Sequence, residues 1–336
     1  MPDATILITA FSRKTFLKEA ILSSITSRKQ SMRYIEVLLV TNFSVDELDN
    51  SLKYDVTYIE VKNAKNKTEL VGIGIENAKS EIIIFLDDDD IILPCKIDKV
   101  ISIFNSNPNL GLLHNEHTRI GENFKVNLLQ SDTANVKSES GLVIVNSIEE
   151  AVRKNCDVNL SSISIRKCSV IDYLSYFNLF DTSDDTLIMY SVYASSKLIG
   201  YIPDKLTLYR IHPGGITALS GDFKSFLDKG TNKLASDVKC HNLFIKLFIN
   251  SDIRRLQNLR LSYYLTIYWT FKLNKRRSHF LSYFINMYRH LKWIRYSGSL
   301  PSHYIKYVFW GLIIISPKAY LCITNLSSQF RLKRAR

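Results

Sequence analysis

One stretch constrains the whole chain. In SEIIIFLDDDDIILPCKI, residues 80–97, five apolar residues from Ile82 to Leu86 run straight into Asp87, Asp88, Asp89 and Asp90. Such a run, bounded by polar residues, reads as a strand buried on both faces. Four adjacent carboxylates repel one another, and each is costly to desolvate unless something positive sits among them. Ile91 and Ile92 resume the apolar pattern, and Pro94 suits the first turn of a helix CKIDKVISIFNS.

The preceding residues alternate in the same way. ATILITAF reads as a buried strand, and RKTFLKEAILSSITS as a helix with Phe16, Leu17, Ala20, Ile21 and Ile25 on one face. YIEVLLVTNF (34–43) and DVTYIEVK (55–62) read as strands; KTELVGIGIENAKS (67–80) has helical character weakened by Gly72 and Gly74. Strands alternating with helices predict an α/β fold, with a mainly parallel sheet covered by helices on both faces. In such sheets ligands bind at the carboxyl ends of the strands, where the four aspartates fall.

Further along, residues 105–145 are polar and poor in pattern, which predicts a loop-rich connection. LSSISIRKCSVI (160–171) resumes strand and helix character. DTSDDTLIMYSVYASSKL (181–198) predicts a helix opening at Asp184 and Asp185, at the end where the helix dipole favours negative charge. IGYIPDKLTLYRIHPGGIT (199–217) predicts a strand with turns that closes on Arg210 and His212.

From about residue 240 aromatic and basic residues interleave. Residues 241–336 hold 17 Lys/Arg and a single acid, Asp252, whereas the whole chain has 44 Lys/Arg and 32 Asp/Glu, so the remainder is mildly acidic. A basic tail on an acidic body points to an anionic partner, either membrane headgroups or nucleic acid. VFWGLIIISPKAYLCITNL (308–326) is broken by Pro317 and Lys318, whereas a spanning helix needs about 20 largely apolar residues, so lying at the interface fits better than crossing. The terminal RLKRAR suits an anionic cytoplasmic leaflet. Basic residues among Tyr and Trp also suit stacking on single-stranded nucleic acid, but the aliphatic LIII run and the lack of a nucleic-acid motif weigh against it. Five cysteines without a C-x-x-C pair fit a reducing compartment, and MPDATILITAF lacks the basic start of a secretory signal.

The aspartate run is not an EF-hand loop, because Ile92 stands where the sixth position needs glycine. Nor is it a Walker-B strand end, because the chain has no G-x-x-x-x-G-K-[ST]. A solvated, helix-capping loop is the plain alternative to a divalent-cation site completed by substrate phosphates.

ILITAFSRKTFLKEAILSSITS, IEVLLVTNFS and GIENAKSEIIIFLDDDDIILPCKI, with DTSDDTLIMY and LYRIHPGGIT after them, resemble the family 2 glycosyltransferases of GT-A (Rossmann-like) fold across residues 4–217. The resemblance implies a nucleotide-diphosphate sugar donor and a Mg2+ or Mn2+ ion bridging its diphosphate. Asp89 would hold the metal, Asp87 or Asp88 the ribose, and Asp90 is expected to cap the following helix. Asp185 would be the catalytic base of an inverting reaction, with Asp184 the acid beside it. His212 would complete the metal shell or touch the diphosphate, Arg210 would hold a phosphate oxygen, and Ala10, Ser12, Arg13 and Asn42 would line the donor site.

Three positions depart from the family pattern. Thr41-Asn42 stands where aspartates are common, Ala10-Phe11-Ser12-Arg13 replaces a Thr-Tyr-Asn-Arg, and Val71-Gly72 replaces an Arg-Asn pair. UDP- and GDP-sugars therefore both remain open. The expected organisation is a catalytic domain over 1–220 and a basic, aromatic-rich helical region over 221–336. That region would hold the enzyme peripherally on the inner face of the cell membrane, near a glycan or lipid-linked acceptor, with nucleic acid not a partner. The other readings are a nucleotide-sugar-binding homologue of low activity, and a nucleic-acid-binding protein with a structural cation.

Overall fold

The computed structural model describes residues 1–45, 55–124, 141–212 and 223–273. The chain divides into two compact units, Met1–Arg210 and Ile211–Arg336.

The first unit is built on a nine-stranded sheet. Strands β1 (Ala4–Ala10), β2 (Ile35–Thr41), β3 (Thr57–Glu60) and β4 (Ile82–Asp87) form its parallel part, in the order β3-β2-β1-β4. Every residue of β1 and β2 is buried, as expected of aliphatic strands with neighbours on both edges and helices over both faces. The register sets Ala10 beside Thr41 and Thr9 beside Asp87, so three strands end their carboxyl termini on one edge.

Beyond β4 the sheet turns antiparallel. β8 (Ile163–Arg166) pairs with β4 and with β6 (Leu110–Gly121), while β9 (Leu198–Ile211) carries β5 (Ile91–Ile92) and β7 (Val143–Val145). Strand β6 corrects the expectation of a loop-rich segment over 105–145; residues 125–140 lie outside the described residues. It was hidden because its first six residues are buried whatever their polarity. His114 Nε2 bonds the Val158 carbonyl at 3.2 Å, and Asn115 Nδ2 donates to Glu116 O and Thr207 Oγ1. Polar residues satisfied inside a sheet erase the alternation that marks a strand.

Helices α1 (Leu17–Gln30), α2 (Lys67–Asn77) and α3 (Cys95–Ser106) follow β1, β3 and β5. Short helices α4 (Ile148–Arg153) and α5 (Leu174–Phe177) precede α6 (Asp184–Ala194). The two glycines that weaken the helical signal of α2 serve its packing. A Cβ on Gly74 would stand 2.5 Å from Leu7 Cδ1 of β1, and one on Gly72 would stand 2.8 Å from Phe177 Cβ. Bare backbone lets the helix lie directly on its neighbours, which offsets a propensity cost of about 1 kcal/mol per glycine.

Lys96 of α3 is fully buried beneath the sheet's edge. Its Nζ donates to Ser161 O at 2.6 Å and Thr207 Oγ1 at 3.2 Å, and burial lowers its pKa to about 7, with Asp90 opposing. It ties α3, β9 and the segment before β8 into one polar node inside an apolar core.

In the second unit, α7 (Phe223–Leu247) and α8 (Ser251–Leu273) form a hairpin. Asn250 Oδ1 accepts from the Asp252 and Ile253 amides, starting α8. His241 Nδ1 bonds Gln257 Oε1 across the helices at 2.5 Å, with its ring 4.5 Å from that of Tyr264. Among the described residues no helix is long and apolar enough to cross a membrane. The run 308–326 and the terminal RLKRAR lie outside them.

Gly72→Val places a branched side chain against Phe177 Cβ, which has no rotamer by which to escape. Urea denaturation should show it less stable than wild type by about 1–3 kcal/mol.

Candidate functional site

The site grows from the end of β4. Asp87 closes the strand, Asp88 and Asp89 make the turn, and Asp90 leads into β5, with the Asp90 amide 3.3 Å from the Asp87 carbonyl. The turn is fastened from several directions. Ser161 Oγ accepts the Asp87 amide at 2.9 Å. The Arg210 amide donates to Asp90 Oδ1 at 2.8 Å. Asp90 therefore does not cap α3, as the sequence suggested. Pro94 holds that N-cap position without a side-chain bond, and the Asp90 carboxylate turns inward to β9.

Two cations answer the crowding. Arg13 grips Asp88 with Nε at 3.0 Å and with Nη2, and Nη2 also meets Asp89 Oδ2 at 2.6 Å. Burial works against its charge, but the bond to Asp88 and the charges of Asp88, Asp89 and Asp87 outweigh it and raise its pKa. Lys67, the first residue of α2, reaches Asp87 Oδ1 at 2.5 Å and Asp184 Oδ2 at 3.1 Å. Burial again opposes the charge, and Asp184 and Asp87 overcome it, so the ammonium is held well above its ordinary pKa.

Lys67 thereby joins two segments that the sequence had read separately. Asp184 and Asp185 open α6, preceded by Ser183 in the left-handed region (φ 74°). Asp185 Oδ1 accepts the Thr186 amide at 2.7 Å. Burial, then the charges of Asp184 and Asp157, push the Asp185 pKa up to about 8. Burial likewise raises Asp87 to about 7, with Lys67 opposing, and raises Asp88 and Asp90.

The remaining predicted residues fall as follows. Ser12, at φ 57°, donates its amide to Asn42 Oδ1 at 2.8 Å, and Asn42 Nδ2 returns to Ser12 Oγ at 3.2 Å, joining the ends of β1 and β2. Ala10 is buried at the end of β1. The Arg210 guanidinium is wholly buried and gives Nε to Asp89 O, Nη1 to Glu122 O and Nη2 to Glu19 at 2.7 Å, above the ring of Phe16. Its three nitrogens thus brace the turn from behind. His212 is buried and belongs to the second unit. Val71 is buried, so the Val71-Gly72 pair offers the site no polar group.

Carboxylate oxygens of Asp87, Asp89 and Asp90 lie within 4.8 Å of one another. Asp90 Oδ2 is buried with no hydrogen-bond partner among the described residues. Hard anionic oxygens with one left unsatisfied fit a hard divalent ion such as Mg2+ or Mn2+.

A model of glycosyl transferase family 2 matches residues 5–154, from β1 through α4. Residues 5–154 are thus a glycosyltransferase family 2 region. The chain is 29% identical over 112 residues to an uncharacterized glycosyltransferase of Haemophilus influenzae, covering 33% of this chain and 37% of that protein. Over 196 residues the chain is 24% identical to an uncharacterized glycosyltransferase of Rickettsia bellii, covering 55% of this chain and 26% of that one. The chain thus spans little more than a third of these relatives at most. Among solved structures, S. aureus TarS 1-349 in complex with UDP-GlcNAc aligns with a TM-score of 0.52 at 11% identity, covering 84% of this chain and 79% of that one. The likeness is one of fold, the GT-A architecture.

Within this site, sequence reasoning missed Lys67, Ser161 and Glu19. Lys67 had one available signal: it precedes Val71 by one helical turn, on the same face.

A carboxyl group whose folded pKa is raised loses stability as pH climbs from its unfolded value to its folded one. For Asp185 that window runs from the ordinary carboxylate range to about 8. Without added metal, Asp185→Asn should therefore raise the melting temperature at about pH 8 and leave it nearly unchanged at about pH 4.

Proposed function

We propose that this family 2 protein transfers a sugar from a nucleotide-diphosphate donor to a glycan or lipid-linked acceptor, with inversion. One observation carries the reading: a family 2 region whose strand-end aspartates stand within one ion network with the Asp184-Asp185 pair. The aligned TarS structure is in complex with UDP-GlcNAc, which supports a donor of that class here.

In this reading Asp89, with Asp87 and Asp90, holds Mg2+ or Mn2+. Bound there, the ion would neutralise charge building on the departing nucleoside diphosphate. Arg13 keeps Asp88 and Asp89 apart at fixed geometry, and Asp88 or Asp87 contacts the ribose. The Ser12–Asn42 pair offers amide and hydroxyl groups in place of a carboxylate, so it can hydrogen-bond a base without adding charge. Asp185 accepts the acceptor hydroxyl's proton as the oxygen attacks the anomeric carbon. A carboxylate with its pKa lifted toward neutrality is a stronger base than an ordinary one, and it still ionises in the working range.

The catalytic domain would cover about residues 1–220. The basic, aromatic-rich region 221–336 would rest it on the inner face of the cell membrane, where a lipid-linked or envelope glycan acceptor is met. The charge of that region supports the docking.

Calorimetric titration of UDP and GDP, with and without Mn2+, tests the donor site. One nucleotide should bind in a metal-dependent way, and Asp89→Ala should abolish it. Absence of binding by folded protein with metal present overturns the reading. With the preferred donor, Asp185→Asn should retain nucleotide binding and lose transfer by roughly 10²–10⁴-fold.

A further inference from the structure

We propose that Lys67 is a positioning residue that competes with the divalent cation for Asp87, and so couples loading of the donor site to the base at Asp185. The inference rests on the donor-site reading above and adds a residue that reading does not use.

Lys67 Nζ is shared between Asp87 Oδ1 at 2.5 Å and Asp184 Oδ2 at 3.1 Å, and its side chain is largely enclosed. The backbone beneath it cannot retreat. Asn66 caps α2 by accepting the Glu69 amide at 3.0 Å, and Gly72 and Gly74 press the helix against Phe177 and Leu7. Only the side chain can respond when charge changes around it.

A divalent ion held by Asp87, Asp89 and Asp90 takes up a carboxylate that the ammonium already neutralises. Two cations on one partly buried carboxylate repel strongly, because few waters stand between them to screen it. Arg13 also meets Asp89, but it is anchored on Asp88, which is not a ligand in this reading, and it does not reach Asp184. The ammonium moves instead toward its second partner, Asp184. That neutralises the charge beside Asp185, where Asp184 is the strongest carboxylate influence favouring the protonated form. Cation binding at one end thus favours the ionised base at the other.

Mn2+ titrated calorimetrically into the full-length protein at about pH 8 tests the proposal on wild type, Lys67→Met and Lys67→Arg. Lys67→Met should bind Mn2+ about tenfold tighter or more, since a competing charge is gone, while Lys67→Arg stays within about threefold of wild type. A merely structural lysine would leave Mn2+ binding unchanged or weaken it in Lys67→Met, and either result overturns the proposal. Mn2+ bound by none of the three proteins overturns it together with the metal part of the proposed function; equal binding by wild type and Lys67→Met overturns the coupling alone. Should Lys67→Met fail to fold, Lys67→Gln carries the same prediction.

Discussion

The first unit is organised around electrostatic crowding at one strand end. Four consecutive carboxylates stand where an aliphatic strand emerges from the core, and burial raises the proton affinity of three of them. The turn persists because counter-groups arrive from elements far apart in sequence. Arg13 comes from the end of β1, Lys67 from α2, the Ser161 hydroxyl from the segment before β8, and the Arg210 amide from β9. Lys67, Ser161 and Arg210 are carried by elements packed into the core, so those groups hold their positions by packing and not by salt bridging alone, which is weak when exposed. Carboxylates held this close by packing are what the proposed cation would meet.

How much of this was legible depended on how each feature is encoded. Strands β1, β2 and β4 were readable because each holds an apolar run (Ile6–Ile8, Val37–Val40 and Ile82–Leu86), and α3 because Pro94 marks its start. The placement of Asp184 and Asp185 at a helix start was readable from charge next to an apolar run. Strand β6 was not, since His114 and Asn115 interrupt its pattern while satisfying their polar atoms in the interior. The contacts among charges were the least visible part. Asp87 and Asp184 are almost a hundred residues apart, and no periodicity announces that one ammonium will meet both. For Asp90 a local rule, helix capping, lost to a long-range backbone donor from β9.

The Arg210 guanidinium shows how one buried cation can fasten the aspartate turn to distant elements. Its nitrogens bind the Asp89 carbonyl, the Glu122 carbonyl and the Glu19 carboxylate, against the face of Phe16. A planar fork with fixed donors suits that task, because it can hold a turn, a strand end and a helix in one geometry.

The bare backbone of α2 has one more consequence. With Gly74 lying against Leu7, nothing lies between helix and sheet to absorb a change, so the interface works as a spacer of fixed thickness. The Lys67 amine is mounted on that spacer's end. An evolutionary change at Gly74 or Leu7 would thus act at a distance, retuning how firmly the ammonium sits between its two carboxylates. In this fold the depth of a hydrophobic contact sets the balance of an ionic one.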